Sequence, residues 1–449
     1  MKKQHLKYAT TEVPRYTSYP TAAQFGDLST QTYRDWLGAL DKDEPISLYV
    51  HVPFCHEMCW YCGCHTTIVS GYDRVGAYFK TLMREVELLG QAIGHKPRLS
   101  HLHFGGGTPT ILSPEHFGKF VEQVGEHFTF LPDADLAVEM DPRTLTREMV
   151  GALAEAGINR ASLGVQDFSP HVQANIHRIQ PFYIVDRSVK WLREAGITAI
   201  NFDLMYGLPY QKLSDVERTV TRALSLQPDR IAMFGYAHVP WFKKHMRVIK
   251  EESLPDTLER YAEAQLAADL MRQHGYEEIG FDHYAKPDDA MSIAARDGSL
   301  KRNFQGYTVD EADTMLGLGA SSIGQMREGY VQNAPNLKEW REIVESGELT
   351  VRRGLEINDE DRFRRAAIEK VMTDLAFDME AHCKEHVQPV DALDDALDKL
   401  KGLERDGLIT LDGRKLKVIE PQGRRFLRSI AASFDQYWKP GKSKHSKAV

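Results

Sequence analysis

The chain has 449 residues, 42% of them hydrophobic and 27% charged, with a formal net charge of −8. That length predicts a large domain with a smaller companion, and the composition excludes a disordered or fibrous chain. No apolar run approaches the roughly 18 residues of a membrane span, and the acidic balance argues against whole-chain binding to nucleic acid or anionic lipid.

In chain order, residues 1–45 form an N-terminal arm. It contains the turn-rich "PRYTSYPTA" (14–22) and gives no clear helical signal before about Thr30. The first residues lack a signal-peptide core, so the expected home is the cytoplasm, where thiols stay reduced. From 46 to 285, short β-rich runs alternate with helical patterns. The strand candidates are "SLYVHV", "LSHLHF", "DLAVEM", "RASLGV", "AINFDLM" and "RIAMFGYAHV". Segments such as "YFKTLMREVELLGQAI" between them carry apolar residues at helical spacing. The joins "LAEAGINRASLGV" and "LREAGITAINFDLM" are near copies, each leaving a helix at Ala-Gly and entering a strand. Repeated βα units predict a parallel sheet with right-handed crossovers, either a barrel or a doubly wound sheet. Polar residues cluster at the C-terminal strand ends, the face on which barrel enzymes build their sites. For Asp141 and Asp167 in these clusters, helix capping competes evenly with function.

Residues 286–358 read as an irregular extension, with "NFQGYTV" and "GLGASSIGQM". Residues 359–449 return to helices, then a hairpin "LITLDGRKLKVIE" and a last helix near Gln422, a small winged-helix-like order. From Lys401 onward, 12 Lys and Arg face 5 Asp and Glu, a net +7 that leaves −15 on the rest. Such a tail is either a solvated feature or the place where an anionic ligand is met.

Four of the five cysteines, Cys55, Cys59, Cys62 and Cys64, lie within "YVHVPFCHEMCWYCGCHTT". Disulfides are disfavoured by compartment and by the short spacing. A structural zinc wants a second, distant pair that the chain lacks. An iron–sulfur cluster fits thiolates crowded into one loop. The glycines of "GGGTPT" (105–110) suit close backbone approach to a ligand carboxylate, and equally a tight strand-to-helix turn.

Cys55-x3-Cys59-x2-Cys62 resembles the signature of the radical S-adenosylmethionine (SAM) enzymes. Together with "PRYTSYPTA", "HFGGGTPT", "EMDPR", "GVQDF", "NFDLMYGLP", "NFQGYTV" and "GLGASSIG", the chain resembles the oxygen-independent coproporphyrinogen III oxidases. The resemblance implies an α/β fold: an incomplete parallel (β/α)6 radical SAM barrel with an N-terminal arm and a small C-terminal helical domain. It implies one [4Fe–4S] cluster held by Cys55, Cys59 and Cys62, and two SAM molecules. Tyr49, Gly106, Glu139, Ala237 and Ile323 match positions that contact the SAM at the cluster. Tyr61, Gly107, Thr108, Gln166, Arg178 and Asp203 match those around the second SAM. No catalytic residue beyond cluster and SAM is expected. Cys64 is read as an unligated thiol, since a fourth ligand would close the iron that takes SAM.

The implied substrate is coproporphyrinogen III, two of whose four propionates become vinyl groups, giving protoporphyrinogen IX. An electron donor of unknown identity is required, and the expected state is a monomer. Arg15, Lys301, Arg302 and the basic C-terminal segment are candidates for holding propionates. His51 is read as either a SAM-side contact or a satisfied structural histidine, His101 and His103 as structural, and Trp60 as core packing. The alternatives are a radical SAM enzyme acting on another tetrapyrrole, a non-catalytic haem chaperone, and a DNA-binding regulator with an iron–sulfur sensor. Cys64 and the N-terminal arm count against the chaperone.

Overall fold

The computed structural model describes residues 1–439 and Gly441. The basic segment from Lys401 therefore falls partly outside the described residues. Contacts divide the chain into two units, and the division does not follow chain order. The thiol unit comprises Gln24–Asp203 and Asp310–Ile357; the terminal unit comprises Met1–Ala23, Leu204–Val309 and the chain from Asn358. The division expected from chain order, at 45, 285 and 358, thus gives way to one in which the arm and the irregular extension are each shared between units.

In chain order the strands are β1 (Ile46–Val52), β2 (Arg98–Gly106), β3 (Thr129–Met140), β4 (Arg160–Gln166), β5 (Ala199–Tyr206) and β6 (Arg230–Gly235). They continue with β7 (Glu277–Ile279), β8 (His283–Ala285), β9 (Thr314–Leu318), β10 (Ile323–Gln325), β11 (Gly329–Asn333) and β12 (Val351–Glu356). All six strand candidates are present. In the thiol unit the order is β12-β11-β10-β9-β1-β2-β3-β4, then the first part of β5. β9, β1, β2, β3 and β4 run parallel, the arrangement that βα repeats demand. The extension expected to be irregular instead supplies four strands to this sheet, with β9 pairing directly beside β1.

The strands alternate in a way that a fully covered parallel sheet would not. Leu48, Val50 and Val52 of β1, Leu102 and Phe104 of β2, and Leu163 and Val165 of β4 are buried on one face. Each such side chain contributes about 2 kcal/mol by leaving water. The intervening positions carry Tyr49, His51, His103, Glu139, Ser162, Gln166, Asn201 and Asp203. Period-two geometry puts these polar residues together on the opposite face. Both Ala-Gly joins end in left-handed glycines, Gly157 (φ 82°) and Gly196 (φ 87°), which stop the helix and turn the chain into the next strand.

In the terminal unit the order is the last part of β5, then β6, β8 and β7. The segment from Asp359 gives helices Asp359–Asp374, Met379–Glu385 and Asp394–Arg405. A three-stranded antiparallel sheet (Ala376–Asp378, Ile409–Asp412 and Lys415–Val418) joins them in the winged-helix-like order. The arm contains a helix, Leu6–Thr10, that five residues are too few to reveal by periodicity. It is part of a core: Val13, Tyr16 and Tyr19 are buried with Phe363, Phe426 and Ile430. Tyr16 donates to Asp435 Oδ2 at 3.1 Å, and Arg428 Nε donates to the Pro14 carbonyl at 3.0 Å. Within the basic C-terminal segment Arg424, Arg425 and Arg428 are buried, while Lys401, Arg405, Lys415, Lys417 and Lys439 are exposed.

Candidate active site

The thiol loop leaves β1 at Val52 and crosses the two-residue strand Phe54–Cys55. None of the four thiols is in a disulfide; Cys59 is buried and Cys64 exposed. Each of the three signature sulfurs receives a donor. Thr66 Oγ1 donates to Cys55 Sγ at 3.3 Å, and Thr108 Oγ1 lies 3.5 Å from it. Cys59 Sγ receives Arg178 Nη1 at 3.5 Å and Arg143 Nη2 at 3.6 Å. The Cys64 backbone N–H points at Cys62 Sγ, 3.4 Å away. Donors of this kind stabilise thiolate, the form that binds iron, so the residues present fit a thiolate-ligated cluster. Burial pushes the Cys55 thiol up, which Thr108 and Thr66 oppose. Cys62 beside it, first by a hydrogen bond and then by charge, holds the Cys64 thiol well above its ordinary value.

Behind Cys59 stands an ionic cluster. Asp141 Oδ2 accepts from Arg143 Nη2 at 2.7 Å and from Arg178 Nη1 at 3.1 Å, and Arg178 Nη2 donates to the Gly164 carbonyl at 2.5 Å. Burial alone would lower the Arg178 guanidinium; Tyr61, Asp141 and Cys59 overcome this and raise it, so Arg178 stays charged. Burial pushes the Tyr61 phenol well up in the same surroundings. Asp141 does not cap a helix: Thr146 caps Arg147–Glu155, while Asp141 serves the arginines. Asp167 does support a helix entry, accepting from Ser169 N just before Pro170–Asn175. Gln166 closes β4 with φ +65°, a conformation rare outside glycine and one that concentrates at functional sites.

A second group forms on β1, β2 and β3. The Tyr49 ring stacks on His103 at 5.9 Å and 23°; His103 Nε2 lies 3.1 Å from Glu139 Oε1; Glu139 Oε2 accepts from Gly106 N at 3.3 Å. Burial alone would raise the Glu139 carboxyl, but His103, Gly106 and His51 bring it below its usual range. His103, read from sequence as structural, is therefore a partner of two site candidates. His101 keeps a structural place beside Asp135 (3.4 Å). His51 is satisfied by Tyr49 Oη at 2.9 Å and the His65 carbonyl at 3.0 Å. Trp60 stacks on His177 at 5.2 Å rather than entering the core.

The glycines of 105–107 are required by the chain itself. A Cβ on Gly105 would sit 2.8 Å from Glu139 Oε1, on Gly106 2.6 Å from the His51 ring, and on Gly107 2.5 Å from the Phe54 carbonyl. Gly107 N and Thr108 N donate to the Val52 and Phe54 carbonyls at 2.9 and 2.8 Å. These N–H groups brace the cysteine strand. Asp203 accepts from Ser162 Oγ and Asn201 Nδ2, both at 3.1 Å. Ile323 opens β10 beside Gly317, the register partner of Tyr49. Ala237 follows β6 in the terminal unit and lines a cavity there. The sequence reading passed over Arg143, although its signal was present in "EMDPR".

The sequence pattern of the Radical SAM superfamily matches residues 49–223, a stretch that holds the thiol loop and every cluster and SAM candidate except Ala237 and Ile323. A protein of Bradyrhizobium diazoefficiens named oxygen-independent coproporphyrinogen III oxidase is 46% identical over 445 residues, 99% of each chain. One of the same name from Helicobacter pylori is 36% identical over 454 aligned positions, covering 97% of this chain and 96% of its own. The solved structure of coproporphyrinogen III oxidase (HemN) from Escherichia coli, a radical SAM enzyme, superposes with a TM-score of 0.90 at 34% identity, covering 94% of this chain and 98% of that one. With its signature thiols each met by a donor and its likeness running end to end, the chain belongs to the oxygen-independent coproporphyrinogen III oxidase family of radical SAM enzymes.

Proposed function

We propose that this protein converts coproporphyrinogen III to protoporphyrinogen IX without oxygen, removing hydrogen and CO2 from two propionates to leave vinyl groups. The observation that carries the reading is the 46% identity over 99% of the chain, thiol loop included, to a relative of that name. When bound, a [4Fe–4S] cluster with SAM would supply hydrogen-atom abstraction from a substrate carbon. The chain's own part is placement and exclusion of water. Cys55, Cys59 and Cys62 would hold the cluster. Arg178 and Arg143 set a positive charge against Cys59 and are themselves fixed by Asp141. Tyr49, Gly106, Glu139, Ala237 and Ile323 serve the SAM at the cluster; Tyr61, Gly107, Thr108, Gln166, Arg178 and Asp203 serve the second. An ionised Glu139 or Asp203 is a suitable acceptor for a pair of ribose hydroxyls.

The protein acts as a monomer in the cytoplasm with an external electron donor. Four closely spaced thiols with no disulfide among them suit a reducing compartment. No helix among the described residues is long and apolar enough to cross a membrane. The test is anaerobic reconstitution with iron and sulfide, then SAM, a reductant and coproporphyrinogen III. Protoporphyrinogen with two CO2 is expected, and Cys59→Ala abolishes it. Cleavage of SAM without vinyl formation would assign the chain to another tetrapyrrole substrate.

A further inference from the structure

Within the terminal unit lies a cavity of about 530 Å³ whose wall carries four arginines: Arg15, Arg260, Arg425 and Arg428. Three are held in place by the protein. Arg428 is bound by the carbonyls of Val13 and Pro14, and Arg425 Nη2 sits 2.6 Å from Glu278 Oε1. Arg260 lies over the Tyr206 ring at 5.5 Å, and glycine at 207 and 235 leaves room for its guanidinium, since a Cβ at 235 would be 3.0 Å from Nη2. Arg15 differs. It is solvent-exposed where the cavity forms, its one hydrogen bond is a long 3.4 Å contact to the Gly235 carbonyl, and its guanidinium hangs 6.0 Å over the Phe234 ring. No acid pairs with it among the described residues.

The same wall also carries Glu12, Glu251, Asp256 and Asp282. Asp282 bonds His283 Nδ1 at 2.7 Å, and Asp256 caps the helix Thr257–Gln273. Glu251 is exposed. Crowded cations with little water to screen them repel one another. Burial, with Arg15 nearby, pulls the Arg428 guanidinium down to about 9. An entering anion relieves that repulsion.

We propose that this cavity is a carboxylate-binding subsite that receives a propionate of the substrate, with Arg15 as the contacting residue and Arg260 and Arg428 as the fixed positive wall. The assignment rests on the reading of a tetrapyrrole tetracarboxylate as substrate. Carboxylate could also come from the methionine part of SAM, and the test separates the two.

Coproporphyrin III, the fluorescent oxidised form, is titrated into the full-length protein without oxygen, and SAM is titrated separately by equilibrium dialysis. Wild type, Arg15→Leu and Arg15→Lys are compared, each checked for an unchanged melting temperature. Loss of one charge-assisted bond predicts a rise of about tenfold or more in the porphyrin Kd for Arg15→Leu. Arg15→Lys should recover part of it as a point charge without the bidentate fork. In turnover, KM for coproporphyrinogen III rises more than kcat falls. Equal porphyrin affinity in wild type and Arg15→Leu overturns the subsite, as does a loss confined to SAM. A wild type that neither binds coproporphyrin nor converts coproporphyrinogen refutes the substrate reading instead.

Discussion

One nitrogen of Arg178, Nη1, serves both Asp141, at 3.1 Å from Oδ2, and the sulfur of Cys59, at 3.5 Å. The thiol is thereby tied to a buried ion pair rather than to solvent. Removing one partner of such a pair leaves the other charge exposed to a poor dielectric. Arg178→Ala should destabilise the protein by about 3 kcal/mol and lower iron retention, because Asp141 keeps only Arg143. Anaerobic denaturant titration with iron analysis checks this. An unchanged midpoint with full iron content would show that Arg143 alone suffices.

Gly107 meets the Phe54 carbonyl where a side chain would start. Gly107→Ala should therefore push the Phe54–Cys55 strand away and reduce cluster loading severalfold. Gly118, inside the helix Pro114–His127 with open space around it, is the matched control. There alanine should add up to about 1 kcal/mol of stability. Equal iron content in Gly107→Ala and wild type would contradict the bracing role.

Cys64 lies beyond the three signature sulfurs and is exposed. Cys64→Ala should keep the visible absorption and iron stoichiometry of the reconstituted cluster, while Cys55→Ala, Cys59→Ala and Cys62→Ala each lose them. Loss of the cluster in Cys64→Ala would make it a ligand and close the position that SAM needs.

Glu85 is buried among donors: Trp340 Nε1 at 3.0 Å, Gly319 N at 2.6 Å, and Thr350 Oγ1 and Asn333 Nδ2, both at 2.8 Å. Burial pushes its carboxyl up from 4.5 to about 6, against the pull of those donors. The folded state thus binds this proton more tightly than the unfolded chain. Its contribution to stability is greatest below pH 4.5 and declines as pH rises to 6, by about 2 kcal/mol. The stability of wild type minus that of Glu85→Gln, measured on the unloaded protein, should fall across that interval. A flat difference would mean that the donors cancel the burial.

Much of this was legible beforehand. Six strands and the three-thiol signature are local patterns, since alternation and spacing are written in consecutive residues. The pairing of β9 with β1 was not, because Thr314–Leu318 carries too few residues to announce a strand and its partner lies far back in the chain. Asp141 was weighed as a cap; only the fold brings Arg178 to it from a segment 37 positions away. His103 looked structural because nothing in "HLHF" reveals that its neighbour across the strands is Glu139. The basic C-terminal segment was legible only as net charge, which does not show that Arg424 and Arg428 are bonded to backbone carbonyls inside the terminal unit.

The chain passes from one unit to the other in the middle of a single strand, between Asp203 and Leu204, and crosses back at 309/310 and again at 357/358. Neither unit is a continuous stretch of polypeptide. During synthesis the strand that carries Tyr49 leaves the ribosome long before its neighbour Thr314–Leu318 exists, so one flank must wait unpaired while most of the remaining chain is made. A protease cut in the intervening loops would free no intact half, and a gene fragment ending at Asp203 would encode a sheet with an open flank.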